Sequence, residues 1–336
     1  MTTTPATTRS PAARHVLVLA AGLVLLAAAV IVGLGVGARS VPPAEVVRAL
    51  FAFDGGDDHL VVHDVRIPRA LLGIGVGAAL AVAGVLIQTL TRNPLAEPGL
   101  LGVTSGAGFT VILGAAAGLA TGAVTELGFA ALGAVAAATL VYAVGRSSPL
   151  RLVLTGVALS AVLTGIGLGL RLMLPDVFDQ YRFWSVGSLA GREQAPLAVP
   201  LTVIGLALVA ALLLSRPLAA VSLGDTVAHT LGANVTRIRL SALIVVTTLV
   251  GAATAVAGPI LFVGLIVPQL ARRLATGSVG WLIGYAVVLG AILMLAADTI
   301  ARVLLPTGEV PVAIVTAFLG GPALIAAVRR DRTVAT

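Results

Sequence analysis

Long apolar runs alternate with short polar breaks along almost the whole chain. Runs near membrane length cover 16–38, 70–91, 100–119, 123–144, 150–174, 196–215, 238–257, 258–274, 281–304 and 311–328. A spanning helix needs roughly 20 apolar residues. The pattern therefore predicts an all-α polytopic membrane protein of about ten transmembrane helices. The first run follows a basic start, as a signal peptide's core does, but its length of about 23 residues reads as a retained helix. The eighth run is short and opens on Gly258-Pro259, which predicts a tilted or broken span. Ten spans put both termini on one side and divide into two five-helix halves of opposite orientation, the layout of an inverted repeat. Residue similarity between the halves is too weak to establish the repeat.

One break differs from the rest. Arg92-Asn-Pro-Leu-Ala-Glu-Pro-Gly-Leu-Leu-Gly-Val-Thr-Ser-Gly-Ala107 carries both signs of charge, two prolines and several small residues between two apolar runs. Such a segment must sit in water, be buried in protein or line a pathway. We expect it to line one mouth of a substrate pathway.

Composition narrows the classes. The chain of 336 residues is 58% hydrophobic and 10% charged, whereas soluble domains carry about 25% charged residues. All 21 basic residues are arginine, which excludes a P-loop lysine and Schiff-base chemistry. Without cysteine there are no thiol nucleophiles, disulfides or Cys-ligated metals. If the termini are cytoplasmic, 13 arginines lie inside and eight lie outside or near the outer ends. That bias supports the orientation under the positive-inside rule. It also accounts for the formal charge of +7 without nucleic acid.

The loops give the organisation. Residues 1–15 read as a disordered cytoplasmic tail, 16–330 as the membrane domain and 331–336 as a second tail. Long outer connections cover 39–69 and 175–195, the latter with Trp184. In the inner loop 216–237, Arg216-Pro217 ends a helix and Ser222–Gly232 reads as a short amphipathic helix. Its Leu223, Val227 and Leu231 share a face suited to docking a cytoplasmic partner. Gly73/Gly77, Gly102/Gly106 and Gly165/Gly169 have the spacing that lets helices approach closely in lipid.

Several polar residues carry rival readings. Gly73-Ile-Gly75-Val-Gly77 has part of a dinucleotide fingerprint, but it opens an apolar run rather than following a strand, so helix packing is the reading. His59 and His63, at i and i+4 beside Asp57, Asp58 and Asp64, have a spacing that admits zinc. A solvated outer loop explains them more plainly. Asp298 and Arg302 form either an internal ion pair or an outer docking contact. Arg66 and Arg69, against the positive-inside trend, either anchor lipid phosphate or meet an acidic partner. Gln88 either bonds between helices or faces a pathway.

Seven stretches add a resemblance. They are Arg66–Leu72 (RIPRALL), Arg92–Gly102 (RNPLAEPGLLG), Leu154–Leu159 (LTGVAL), Trp184–Leu189 (WSVGSL), Gly258–Pro268 (GPILFVGLIVP), Ala297–Arg302 (ADTIAR) and Glu309–Thr316 (EVPVAIVT). In these stretches and their order, the chain resembles the FecCD-type permeases of bacterial iron–siderophore and cobalamin ABC importers. The resemblance implies ten spans, a second permease subunit (identical or paralogous), two cytoplasmic ATPase subunits and an extracytoplasmic substrate-binding protein. It implies that Arg66, Arg69 and Arg302 dock the binding protein. Asn93, Pro94 and Leu95 then form one cytoplasmic gate and Ser147-Ser148 the other. Leu223, Asp225, Ala228, Leu231 and Gly232 meet the ATPase. This subunit then has no catalytic residue, metal or cofactor, with ATP and Mg held by the ATPases. Gln269 and Ala313 depart from the common His and Gly of the family.

The expected function is ATP-driven alternating access for a ferric siderophore, with haem or cobalamin as lesser candidates, in the cytoplasmic membrane of a bacterium. The alternative is an ion-coupled secondary transporter, which needs carboxylates near mid-span, and only Asp298 is a candidate. An intramembrane enzyme would need histidines at depth, and the apolar runs contain none.

Overall fold

The computed structural model describes residues 11–37, 39–120, 122–145, 148–191, 196–305 and 308–334. Among the described residues the regular elements are helices, with one isolated bridge between Leu305 and Gly308. In chain order these are α1 (Pro11–Gly35), α2 (Pro43–Phe51), α3 (Asp57–Leu60), α4 (Ile67–Thr91), α5 (Val103–Ala116), α6 (Ala123–Gly145), α7 (Pro149–Met173) and α8 (Pro175–Ser185). There follow α9 (Ala198–Leu213), α10 (Ser215–Ser222), α11 (Asp225–Thr230), α12 (Val235–Ala257), α13 (Val263–Ala275), α14 (Val279–Val303) and α15 (Val312–Val334). A π-helical turn, Val61–Arg66, joins α3 to α4, and a 3-10 turn, Pro98–Leu101, precedes α5.

Each of the ten apolar runs becomes a helix, in order. Among the described residues six helical segments are long and apolar enough to cross a membrane, those of α1, α4, α6, α7, α12 and α14. The pair α9 and α10, bent by 52°, passes the same test together. At 14 and 13 residues, α5 and α13 are shorter. The break expected at Gly258-Pro259 is present. Gly258 leaves α12 at φ +73°, and α13 starts only after Phe262.

The core is organised around α4, whose most apolar window is 83% buried. A helix that is apolar on all sides has no solvent face to present. Glycines set how closely its neighbours come. A Cβ added at Gly77 would strike Gly290 O of α14 and lie 2.7 Å from the carbonyl carbon. One added at Gly84 would strike Gly264 O of α13. Gly106 of α5 and Gly133 of α6 meet in the same way. Only part of the expected glycine pattern works like this. Gly102 instead takes φ +75° to turn the chain into α5, and beside Gly165 and Gly169 of α7 there is open space.

Four segments that read as connections or tails contain helix. Residues 39–69 contain α2 and α3, and residues 175–195 begin with α8, whose Trp184 is buried. The tail expected over 1–15 is already helical from Pro11, with residues 1–10 outside those described. His15 is buried there, stacked on Trp281 at 5.0 Å between ring centroids and 2.9 Å from the Tyr285 hydroxyl. At the other end α15 runs through Val334, past the start of the tail expected over 331–336.

Candidate functional site

The polar break begins where α4 ends. Arg92 takes a left-handed conformation, φ +52°, and terminates the helix. Asn93 then folds the loop on itself, its Oδ1 accepting the Leu95 N–H at 2.9 Å. Asparagine favours such turns because its side chain satisfies a nearby backbone donor. Asn93, Pro94 and Leu95 are exposed. Beyond them the chain returns toward the middle of α4. Ala96 and Pro98 are buried, and Glu97 Oε1 accepts the Phe262 N–H at 3.1 Å, at the start of α13. Phe262 sits at φ +70°, a conformation that costs a non-glycine residue about 1–3 kcal/mol and persists only where the surroundings enforce it. Gln88 donates from Nε2 to Gly264 O at 3.0 Å, so it bonds between helices.

The same end of the bundle holds an ion cluster. Arg92 Nη2 donates to Asp225 Oδ1 at 3.2 Å. Arg239 Nη2 grips both oxygens of Asp225, at 3.0 and 2.8 Å. Asp225 opens α11 just after Gly224, which turns at φ +114°. The single helix expected over Ser222–Gly232 is therefore broken at Gly224. Before the break lies α10, which starts at Ser215 after α9 has ended at Leu213, just ahead of Arg216-Pro217. Leu223, Val227 and Leu231 are exposed, whereas Ala228 is fully buried beside Val221 and Val235. Gly232 ends the segment at φ +76°.

Ser148 is the N-cap of α7, its Oγ accepting the Arg151 N–H at 3.2 Å. Ser147 lies outside the described residues. Replacing an N-cap serine by alanine costs about 1 kcal/mol. Ser148→Ala should therefore lower the melting temperature of the purified protein, and Ser148→Asp should restore it. An unchanged melting temperature in Ser148→Ala would remove the capping role.

At the opposite end, Arg66, Arg69 and Arg302 form an internal network rather than standing on the surface. They are 6, 6 and 8% exposed. Arg69 donates to Asp298 from Nε at 3.1 Å and Nη2 at 2.8 Å, and its Nη1 lies 2.8 Å from Glu309 Oε2. Arg302 Nε lies 3.2 Å from the other oxygen of Asp298, and Nη1 donates to Val36 O at 2.8 Å. Arg66 donates to Leu34 O and Arg39 O. Arg66 and Arg302 thus satisfy carbonyls at and just beyond the C-terminus of α1, where cations are favoured. The i, i+4 pair of Asp298 and Arg302 was legible in sequence. The pairing of Arg69 with Asp298 spans 229 positions and left no local signal.

His59 and His63 differ from the solvated loop expected. His59 is 3% exposed, its Nδ1 2.9 Å from Asp54 Oδ1. His63 Nε2 lies 2.8 Å from Ala49 O. Among the described residues no three His, Asp or Glu side chains converge as a metal site. Ala313 bonds through its N–H to Gly187 O at 3.1 Å, so its extra methyl is accommodated in the contact between α15 and the end of α8.

The arrangement matches known transport proteins over nearly its whole length. The chain is 45% identical to the ferric enterobactin transport system permease protein FepD of Escherichia coli K12 over 313 residues, covering 92% of this chain and 93% of that protein. It is 38% identical to the hemin transport system permease protein HmuU of Yersinia pestis, covering 80% and 83%. A solved metal-chelate type ABC transporter in an inward-facing conformation superposes with a TM-score of 0.84 at 29% identity, covering 93% of this chain and 99% of that one. With the model of the FecCD transport family matching residues 25–330, the chain belongs to that family.

Proposed function

We propose that this chain is the membrane-spanning permease subunit of a binding-protein-dependent ABC importer for an iron chelate, with a ferric siderophore as cargo. FepD supports that cargo by its name, as HmuU supports the related hemin. Ten spans cross the cytoplasmic membrane of a bacterium with both termini inside, in two inverted halves. A second permease subunit completes the pathway. The open face of α7, whose most apolar window is only 17% buried within this chain, suits that contact. Two ATPase subunits bind ATP and Mg beneath it, and a soluble binding protein delivers cargo above.

One observation carries the reading. The polar break at 92–97 and the short helix α11 share one end of the bundle, joined by the Arg92–Asp225–Arg239 cluster. A partner that moves α11 moves the break. Asn93, Pro94, Leu95, Ser147 and Ser148 gate the inner mouth, and Leu223, Asp225, Ala228, Leu231 and Gly232 form the coupling segment, where the exposed leucines touch the ATPase and buried Ala228 seats the helix. At the outer end the network of Arg66, Arg69, Arg302, Asp298 and Glu309 carries three positive and two negative charges. Its surplus attracts an acidic binding protein, although the guanidiniums are spent largely inside. Asp298, the carboxylate that an ion-coupled mechanism would need, is held between two arginines in an internal ion-pair network.

The test is coupling. Arg92, Asp225 and Arg239 are part-exposed, so their ion pairs contribute little to stability. In the reconstituted complex, Asp225→Asn should reduce ATP-driven uptake about tenfold, within the 5–150-fold range of allosteric couplings, while ATP hydrolysis continues. Asp225→Glu should retain most uptake. Equal loss of hydrolysis and uptake, or no loss of either, would overturn the joint. Uptake that needed no ATP would overturn the importer reading itself.

A further inference from the structure

Between α5, α7 and α8 lies a polar cavity of 120 Å³, lined by Thr104, Ser105, Thr164, Arg171, Tyr181 and Trp184 among others. It contrasts with a cavity of 410 Å³ between α6, α9 and α12, whose lining is almost wholly apolar. The polar one lies beyond the break along the pathway direction. Gly102 packs against Gly156, Leu159 and Ser160 of α7, and Arg171 is about three turns further along that helix.

Arg171 is the unusual feature. Its Nε donates to Gly167 O at 3.1 Å, one turn back on its own helix. The guanidinium carbon stands 4.7 Å from the centre of the Tyr181 ring, and Tyr181 leans on Trp184 at 5.5 Å between centroids. The contact holds the guanidinium over the ring. Among the described residues no carboxylate pairs with it, unlike Arg69 and Arg302 at the outer network. Arg171 lies in the last turn of α7, and a cation there that lines a cavity without a carboxylate among the described residues is normally matched by a ligand or by water in a pathway. Planar guanidinium groups hold carboxylate-like oxygens through two parallel N–H bonds. The threonine and serine hydroxyls add donors, and the aromatic faces accept a flat ring.

We infer that this cavity is a recognition subsite for one planar anionic oxygen group of the cargo, an aryl carboxylate or catecholate. Arg171 supplies the charge, and Tyr181 and Trp184 supply the ring platform. The space is smaller than the roughly 300–1,000 Å³ pockets that enclose a whole drug-sized ligand. It therefore holds one arm of a larger chelate, weakly enough to release it onward. The inference deepens the importer reading and rests on it. It also replaces the uncharged wall that the composition of the spans alone would suggest.

Trp184 and Trp281 are the only tryptophans, so Trp281→Phe leaves Trp184 as the sole indole reporter. The probes are benzoate and 2,3-dihydroxybenzoate, with neutral benzamide as control, titrated into the full chain in detergent and in phosphatidylglycerol nanodiscs. Both anions should change Trp184 emission saturably in either medium, and benzamide should not. Adding Arg171→Gln should weaken the response at least tenfold. Equal responses to benzoate and benzamide overturn the subsite even if Arg171→Gln does not fold. A response in detergent that vanishes in nanodiscs assigns Arg171 to lipid phosphate and overturns the cargo assignment. ATP-driven chelate uptake is measured on the same Trp281→Phe protein in its complex. Uptake without a benzoate response removes the subsite and leaves the importer. A benzoate response without ATP-driven uptake supports the anion site and removes the importer reading.

Discussion

Asp298→Ala should abolish most of the folded protein. The Asp298 carboxylate is the shared acceptor of two guanidiniums, each more than nine-tenths buried. Removing it leaves Arg69 with Glu309 alone and Arg302 with backbone carbonyls and a threonine. Stranding a buried charge costs about 3–5 kcal/mol, a large share of the 5–15 kcal/mol that typically separates folded from unfolded states. Asp298→Asn should cost less, because the amide oxygen still accepts a hydrogen bond. Replacing all three charges together, Arg69→Met, Asp298→Leu and Arg302→Met, should cost less than the single alanine, since both stranded guanidiniums are gone and only Glu309, part-exposed, loses its partner. Melting temperature and the yield of monodisperse protein in detergent give the ranking. If the single alanine variant melted with the wild type while the triple variant failed, the network would not be the stabilising unit described.

Gly84→Val is the second severe change. The added Cβ alone would strike Gly264 O and lie 2.7 Å from both Gly264 C and Cα. These are backbone atoms of α13 and cannot rotate aside. Overpacking usually costs about 1–3 kcal/mol when side chains can shift. Here α13 must move away from α4, which also strains the Gln88–Gly264 and Glu97–Phe262 bonds. The cost should exceed the upper end of that range and remove the native fold. Gly165→Val is the control, because nothing lies within 4 Å of its added Cβ. Its melting temperature should match the wild type. Similar losses in both variants would show a general intolerance of valine rather than a contact at Gly84.

The contrast between those glycines shows where sequence reading stops. Gly77, Gly106 and Gly165 look alike in the chain, each small and each in an apolar run. Two of them touch backbone on a neighbouring helix and the third touches nothing in this chain. Spacing reports that a helix can be approached closely; it does not report which helix comes. Arg66, Arg69 and Arg302 teach the same lesson with charge. Their position against the positive-inside trend marked them as needing partners. The partners are Asp298 of α14, Glu309 of the loop after it and the carbonyls around the end of α1, so the internal-pair reading of Arg302 holds and all three side chains are buried. Trp184 read as a loop residue and is a core residue of α8, because its ring packs over Gly108, which no local pattern announces.

What the sequence determined by itself is the set of elements and their chemistry. Apolar runs near membrane length, the Gly258-Pro259 break, the Arg92–Ala107 interruption and the seven family stretches place the chain among transport permeases before any coordinate is known. Those features are local, and hydrophobic length and backbone chemistry act locally. Which distant polar groups meet was decided only by the tertiary structure. It joined Arg92 and Arg239 to Asp225, Glu97 to the Phe262 N–H, and Arg69 to Asp298. An ion pair in a low-dielectric interior is selected by proximity and by the absence of competing water. Proximity between helices far apart in sequence exists only once the bundle has packed.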